Sequence, residues 1–380
     1  MALRGLRVLE MAGLAPGPFC GLILSDFGAR VIRVERPNSA TFHMDKLARG
    51  KESMALNLRH AQGQAVFLDL CSKSDVVIDT YRPGAMEQMK LGPEQVLSVN
   101  PSLIFARLSG FGQTGPFSEK AGHDINFLAL SGVLSKLGPK QGNPRPPLML
   151  LGDIGAGGLL CAFGILSAVI ERITTGKGKV LDANITDGAA YFSTLLWRAA
   201  DLPVWGRGRG DSWFDGGLAY YDTYRCRDGK YVAVGCLEKP FFDQLLKGLQ
   251  LEGKFDQTDN QDSLGTIFTD CFAQRDRDDW IQHFNSFDAC VTPVLTTEEA
   301  PLYPHQKERG TFMKNDSGLG NEPAPFPKSL AFGNSYDSPQ PKRREVLHPG
   351  QDTIKILKEM GYADEKIDKL RADGVVEADM

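Results

Sequence analysis

The chain has 380 residues, 42% hydrophobic and 24% charged, long enough for two domains with cores of their own and too apolar for disorder to be its main state. Its 43 basic and 47 acidic side chains, net −4, are mixed along the sequence, so no basic stripe is present to track nucleic acid. Seven cysteines, odd in number and without CxxC spacing, read as reduced and mostly buried.

The opening MALRGLRVLEMAGLAPG has too short and too charged an apolar stretch for a signal peptide and reads as a first strand. RVLEMA (7–12), ARVIRVE (29–35), SMALNL (53–58), DVVIDTY (75–81) and LIFARLS (103–109) read as strands. Between them, segments such as FCGLILSDFG and QGQAVFLDLCSKS carry apolar residues at helical spacing. The alternation predicts an α/β fold with a Rossmann-like open, mostly parallel sheet, helices on both faces, and active-site groups beyond the carboxyl ends of the strands.

A long helix is expected from about residue 155 to 174, ending at TTGKGK, with VLDANITDG returning as a strand. Its apolar core LLCAFGILSAVIERI meets Glu171 and Arg172 too soon to span a bilayer. WGRGRGDSWFDGG (205–217) reads as a glycine-rich linker. LAYYDTYRCRDGKYVAVGC then reads as a hairpin, followed by helical KPFFDQLLKGLQ and DDWIQHFN and by CVTPVLT, a smaller α+β domain. The expected division is a large domain over 1–200 and 330–380, a linker over 201–219, a small domain over 220–315 and a second linker over 316–329. Two short helices, 352–361 and 364–371, close the chain. The final Ala378-Asp379-Met380 matches a peroxisomal tripeptide only at its first and last positions.

GFGQTG (110–115) fits GxGxxG, but Pro116 follows at once and no acidic residue ends a next strand about twenty residues on, which speaks against a dinucleotide. Its glycines serve a tight turn or the close approach of a ligand just before His123. Six histidines (43, 60, 123, 283, 305, 348), none at i, i+4 spacing or backed by a cysteine cluster, make no metal site. His123, in AGHDINF, is as readily a structural residue as a functional one. Asp153, in LLGDIGAGGLL, reads as the N-cap of the long helix. The GAGG behind it costs up to about 1 kcal/mol per glycine relative to alanine, so another purpose is served: room for a ligand, with N–H groups that could receive an anionic oxygen. Arg36 (VERP) and Arg82 (YRPG) end strands and, with Arg59 and Lys90 nearby in sequence, suit phosphates of a large anionic ligand. Glu238 is unremarkable alone.

Together GLAPGPFCGLILSDFGARVIRVERP, YRPG, LSGFGQTGP, AGHDINFLALSGVLS, LLGDIGAGG, GKGKVLDANITDGAAY and ILKEMGY resemble the family III CoA-transferase superfamily, and its racemase branch in particular, over essentially the whole chain. The resemblance implies an interlocked homodimer with shared active sites. It places the catalytic pair on His123 and Asp153, and a glutamate that bonds the histidine, from the partner chain, on Glu238. CoA contacts fall on Arg36, Ala55, Leu56, Asn57, Leu58, Arg82, Gly122, Asp124, Ile125, Asn126 and Phe127. A basic residue found in some relatives is Gln88 here, with Lys90 as its substitute.

The activity implied is interconversion of 2-methylacyl-CoA epimers of branched fatty acids or bile-acid intermediates, with His123 and Asp153 acting as opposing acid and base on one α-carbon. No metal, flavin or pyridoxal is called for, because the thioester is the electron sink. The implied compartment is the peroxisome or mitochondrion. The alternatives are a CoA-transferase in which Asp153 is the covalent nucleophile, or a non-catalytic CoA-binding protein.

Overall fold

The computed structural model describes residues 2–37, 46–205, 208–315, 318, 320–325 and 347–377. His43, part of the second expected linker and the C-terminal tripeptide lie outside them. The chain divides into two compact units, one of Met1–Ser131, Leu148–Phe192 and Pro304–Met380, the other of Gly132–Pro147 and Ser193–Tyr303.

The larger unit is organised by six parallel strands, β1 (Arg7–Met11), β2 (Arg30–Glu35), β3 (Glu52–Leu56), β4 (Val76–Asp79), β5 (Ile104–Ser109) and β6 (Lys179–Asn184). Their order is β3-β2-β1-β4-β5-β6, and a short antiparallel strand, Val376–Glu377, covers the β3 edge. β-Branched runs such as VVID fit a sheet buried on both faces, and β4 is buried throughout. Strand order reverses between β1 and β4, the place where open α/β sheets leave a crevice at their carboxyl ends. The helices of this unit are α1 (Pro16–Asp26), α2 (Ala61–Ser72), α3 (Ala85–Gln88), α4 (Pro93–Val99), α5 (Asp124–Leu130), α6 (Leu150–Thr175) and α7 (Ile185–Phe192), with Thr353–Glu359 and Asp364–Ala372 near the C-terminus.

The smaller unit contains α8 (Thr194–Arg198), an antiparallel sheet of β7 (Tyr221–Arg225), β8 (Tyr231–Gly235) and β9 (Val291–Pro293), and helices α9 (Lys239–Gly248), α10 (Gln261–Phe272) and α11 (Arg277–Phe284). Phe242, Phe268, Phe272, Trp280 and Phe284 fill its core. The unit boundaries differ from those the composition suggested. Trp205 and the stretch 208–217 are packed: the Trp205 and Phe214 rings lie 5.2 Å apart, Phe214 meets Tyr221 edge-on at 5.4 Å, and Arg209 donates to the carbonyls of Pro139 and Gly142. Glycine content signalled a linker where aromatic contacts make a body.

The long helix also differs. It starts at Leu150, five residues before the expected position, because its first ten residues, Leu150–Leu159, wind as a π-helix before an α-helix continues from Leu160. The first wide turn is closed by the Ile154 N–H donating to the Met149 carbonyl at 3.2 Å. Leu148 and Met149 enter it at φ 53° and 58°, a left-handed geometry unfavourable to side chains. So extended, α6 is long and apolar enough to cross a membrane by length and composition alone, with a mean hydropathy of 1.9 and 39% of its most apolar window buried. Core helices of globular proteins meet the same two criteria.

One buried ion pair underlies the sheet. Lys51 and Glu10 on β1 are both fully enclosed, with Nζ 2.8 Å from Oε2 and 2.8 Å from the Pro18 carbonyl. A Cβ at Gly21 would lie 1.7 Å from that Oε2, so glycine is required there. Burial lowers the lysine pKa and Glu10 opposes the change. Lys51→Met, which strands a buried carboxylate, is expected to lower the unfolding free energy by about 3–5 kcal/mol in urea titration, and adding Glu10→Leu should recover part of that loss.

Candidate active site

The sheet's carboxyl edge forms a cleft of about 540 Å³ lined by the ends of β2 (Val34 to Arg36), β3 (Leu56 to Arg59) and β4 (Thr80 to Arg82), closed by Ala85, Gln88 and Met89. It spans the switch point between β1 and β4. Thr80 anchors its floor by donating to the carbonyls of Met11 and Ala12 at 3.2 and 3.3 Å. A Cβ at Gly13 or Gly17 would fall 2.4 or 2.3 Å from that side chain, so both positions need glycine. Arg36 and Arg82 are exposed at the rim.

Of the expected CoA contacts, Arg36, Leu56, Asn57, Leu58 and Arg82 line this cleft. Ala55 lies beneath it, fully buried, its N–H donated to Thr353 Oγ1 at 3.1 Å. Gln88 lines the cleft and Lys90, with φ 57°, is not among the lining residues. Tyr81 is a lining residue the sequence reading passed over, although it sits in the same YRPG strand end as Arg82.

His123 and its neighbours stand at the start of α5. The loop after β5 brings them there: the Gly110 carbonyl accepts from Thr186 Oγ1 at 2.8 Å, and Cβ atoms at Gly110 and Gly122 would lie 2.1 and 2.7 Å from the Phe127 ring. Phe127 packs edge-on against Phe111, ring centres 4.9 Å apart. The glycines of GFGQTG therefore serve an aromatic packing and, at Gly112 and Gly115, positive φ. His123 is the exposed N-cap residue of α5, and its N–H donates to Asn126 Oδ1 at 3.1 Å while Asn126 returns an N–H to the His123 carbonyl at 2.8 Å. Ile125 is exposed and Phe127 buried.

Asp153 lies inside the first π-turn of α6 and is not its N-cap, a place held by Met149. Its N–H donates to Asp124 Oδ1 at 2.8 Å, so this donor is already committed and is not open to an anionic substrate oxygen. Several of the small residues around it face other protein groups at close range. A Cβ at Gly152 would fall 2.2 Å from Asp124 Oδ1, one at Gly158 2.8 Å from the Pro16 carbonyl, and one at Gly188 on α7 2.3 Å from the Ala156 carbonyl. Helices α1, α5 and α7 thus close around the π-helix at backbone distance. One Asp153 carboxylate oxygen, Oδ1, is buried without a hydrogen-bond partner. Burial pushes the Asp153 carboxyl up to about 6, the charge of Asp124 adds to the rise, and His123 opposes it.

Glu238 is the exposed N-cap residue of α9 in the smaller unit, where its carbonyl accepts the Phe242 N–H at 3.0 Å. The structure thus gathers His123, Asp124, Asn126 and Asp153 at one end of α5 and the arginines in the sheet-edge cleft.

The sequence profile of CoA-transferase family III matches residues 3–352. The chain belongs to that family. Alpha-methylacyl-CoA racemase of Homo sapiens is 47% identical over 384 residues, covering 100% of this chain and 98% of that protein, and the Mus musculus racemase is 46% identical. The succinyl-CoA:glutarate CoA-transferase of Homo sapiens is 28% identical over 99% of this chain and 90% of its own length. Among solved structures, a CAIB/BAIF family protein from Brucella suis superposes with a TM-score of 0.79 at 24% identity, covering 94% of this chain and 99% of that one. Within this family III chain, the open sheet and the motif order read from the sequence stand.

The raised Asp153 pKa sets the sign of a stability effect. The folded chain holds this proton more tightly than the unfolded chain does, so stability is full below the unfolded value of 3.8 and is lost as pH rises through about 6. Asp153→Asn removes that loss. Its advantage in thermal or urea unfolding over the unaltered protein is expected to grow by about 1 kcal/mol between pH 5 and pH 7.5.

Proposed function

We propose that this protein interconverts the 2R and 2S epimers of 2-methylacyl-CoA thioesters by 1,1-proton transfer. The observation that carries the reading is Asp153: a half-buried carboxyl raised to about 6, with an unpartnered oxygen and within electrostatic reach of His123. The relatives at 47% and 46% identity, both named alpha-methylacyl-CoA racemase, support it.

The chemistry follows from two groups able to exchange roles near neutral pH. The neutral His123 imidazole takes the α-proton from one epimer and the electron pair moves onto the thioester oxygen as an enolate. Protonated Asp153 then delivers its proton to the opposite face, leaving imidazolium and carboxylate, and the reverse reaction runs the other way. Glu238 of the partner subunit is assigned to orient the imidazole and favour its charged form. CoA is the substrate handle: Arg36 and Arg82 at the cleft rim suit its phosphates, and Asn57, Leu58 and Tyr81 its remaining surface. No resident cofactor enters the reaction. Peroxisome or mitochondrion is the compartment this reading carries.

The homodimer belongs to the same reading. Phe163, Ile170 and Ile173 on α6 and Tyr191 on α7 are each more than two-thirds exposed, an apolar patch of the kind that marks an interface in a soluble protein. Phe163→Asp with Ile170→Asp is expected to convert a dimeric sedimentation profile to a monomeric one.

The decisive experiment incubates one 2-methylacyl-CoA epimer in heavy water. Deuterium should appear at Cα together with the opposite epimer, and His123→Ala and Asp153→Ala should each slow both by about 10²-fold or more. A transferase of this family would instead leave a hydroxylamine-sensitive acyl adduct on Asp153, with no deuterium at Cα. That result would sink the racemase reading.

A further inference from the structure

The Asp124 carboxylate links the two ends of the candidate site. The resemblance placed Asp124 among substrate contacts, yet its side chain is turned inward: the residue is 6% exposed, Oδ1 accepts the Asp153 N–H at 2.8 Å, and Oδ2 is buried with no hydrogen-bond partner. The first N–H groups of a helix lack intrahelical acceptors, and here one of them is received by a carboxylate carried on a different helix. Gly152 exists in this sequence at the one position where a Cβ would strike that carboxylate. Covalently, Asp124 is the next residue after His123. A single side chain thus ties the N-terminus of α5, where His123 sits, to the turn that carries Asp153.

Resting on the reading of His123 and Asp153 as the acid–base pair, we propose that Asp124 is its positioning residue, fixing the Asp153 backbone and setting a second carboxyl group beside its own. Two close carboxyl groups with buried, unpaired oxygens resist joint ionisation. Charges on the other elements around this turn are engaged elsewhere: Asp187 on α7 with Asn184 at 2.7 Å, Asp26 on α1 with Arg49 at 2.6 Å, Arg107 on β5 with Glu87 at 2.7 Å, Lys179 on β6 with Glu171, and Asp182 on β6 with the Gln113 N–H at 3.0 Å. On α1 the Cys20 thiol is free and buried, its pKa raised by the neighbouring Cys161 thiol of α6 and by burial, and Tyr191 of α7 is exposed. Asp124 and His123 are the two that act on Asp153.

Asp124→Asn separates the two functions, because its Oδ1 still accepts the Asp153 N–H while the charge is gone. The test is carboxyl ¹³C NMR of aspartate-labelled full-length protein, with Asp153→Asn used for assignment, alongside the pH profile of α-proton exchange. In Asp124→Asn the Asp153 titration midpoint, and with it the alkaline limb of exchange from the epimer that needs protonated Asp153 as donor, should move down by about 1 pH unit. An unmoved Asp153 midpoint overturns the proposal. Absence of exchange in the unaltered protein defeats the racemase reading instead, and the NMR midpoint still decides the role of Asp124. Should Asp124→Asn not fold, Gly152→Ala takes its place: it drives a methyl into the same contact and should lower kcat for exchange at least tenfold with KM for the thioester unchanged. An unchanged kcat would count against the proposal.

Discussion

The bond from the Asp153 N–H to the buried Asp124 carboxylate is the contact on which the chemical end of this molecule depends. It joins two helices that come from distant stretches of chain, α5 behind the fifth strand and α6 before the sixth. The wide π-turns that begin α6 belong to the same constraint. They present Asp153 from within a turn, between an entry strained at Leu148 and Met149 and a wall of helices packed at backbone distance.

That packing explains the glycines better than ligand access does. Gly152, Gly158 and Gly188 each stand where a methyl group would collide with a neighbouring carboxylate or carbonyl. An enclosed setting follows, and enclosure raises the Asp153 pKa by desolvation. Glycine thus acts on the chemistry at one remove: it permits close packing, close packing excludes water, and the carboxyl keeps its proton nearer neutral pH.

The sheet supplies the other half. Its reversal between β1 and β4 opens a cleft whose rim arginines come from strand ends separated by almost fifty residues. Beneath it the Lys51–Glu10 pair satisfies two charges that the core would otherwise reject. The sheet-edge cleft and the His123–Asp153 pair are products of one sheet and the loops above its carboxyl edge.

Much of this was legible in the residues. Short β-branched and apolar runs separated by segments of helical spacing predicted the parallel sheet, because residue type and periodicity are properties of the chain itself. Arg36 and Arg82 were legible for the same reason, each marked by the proline that ends its strand. The sequence also determined that His123 and Asp153 have unusual neighbours, and family resemblance joined them. Composition misled where contact outweighs it: Trp205 and Phe214 pack through their aromatic rings, and Gly157 and Gly158 of GAGG face neighbouring helices. The π-turn, the inward direction of Asp124 and the pKa of Asp153 were decided only by the tertiary structure. Each depends on which groups from remote parts of the chain meet, and burial and charge act through distance in space, which residue order does not encode.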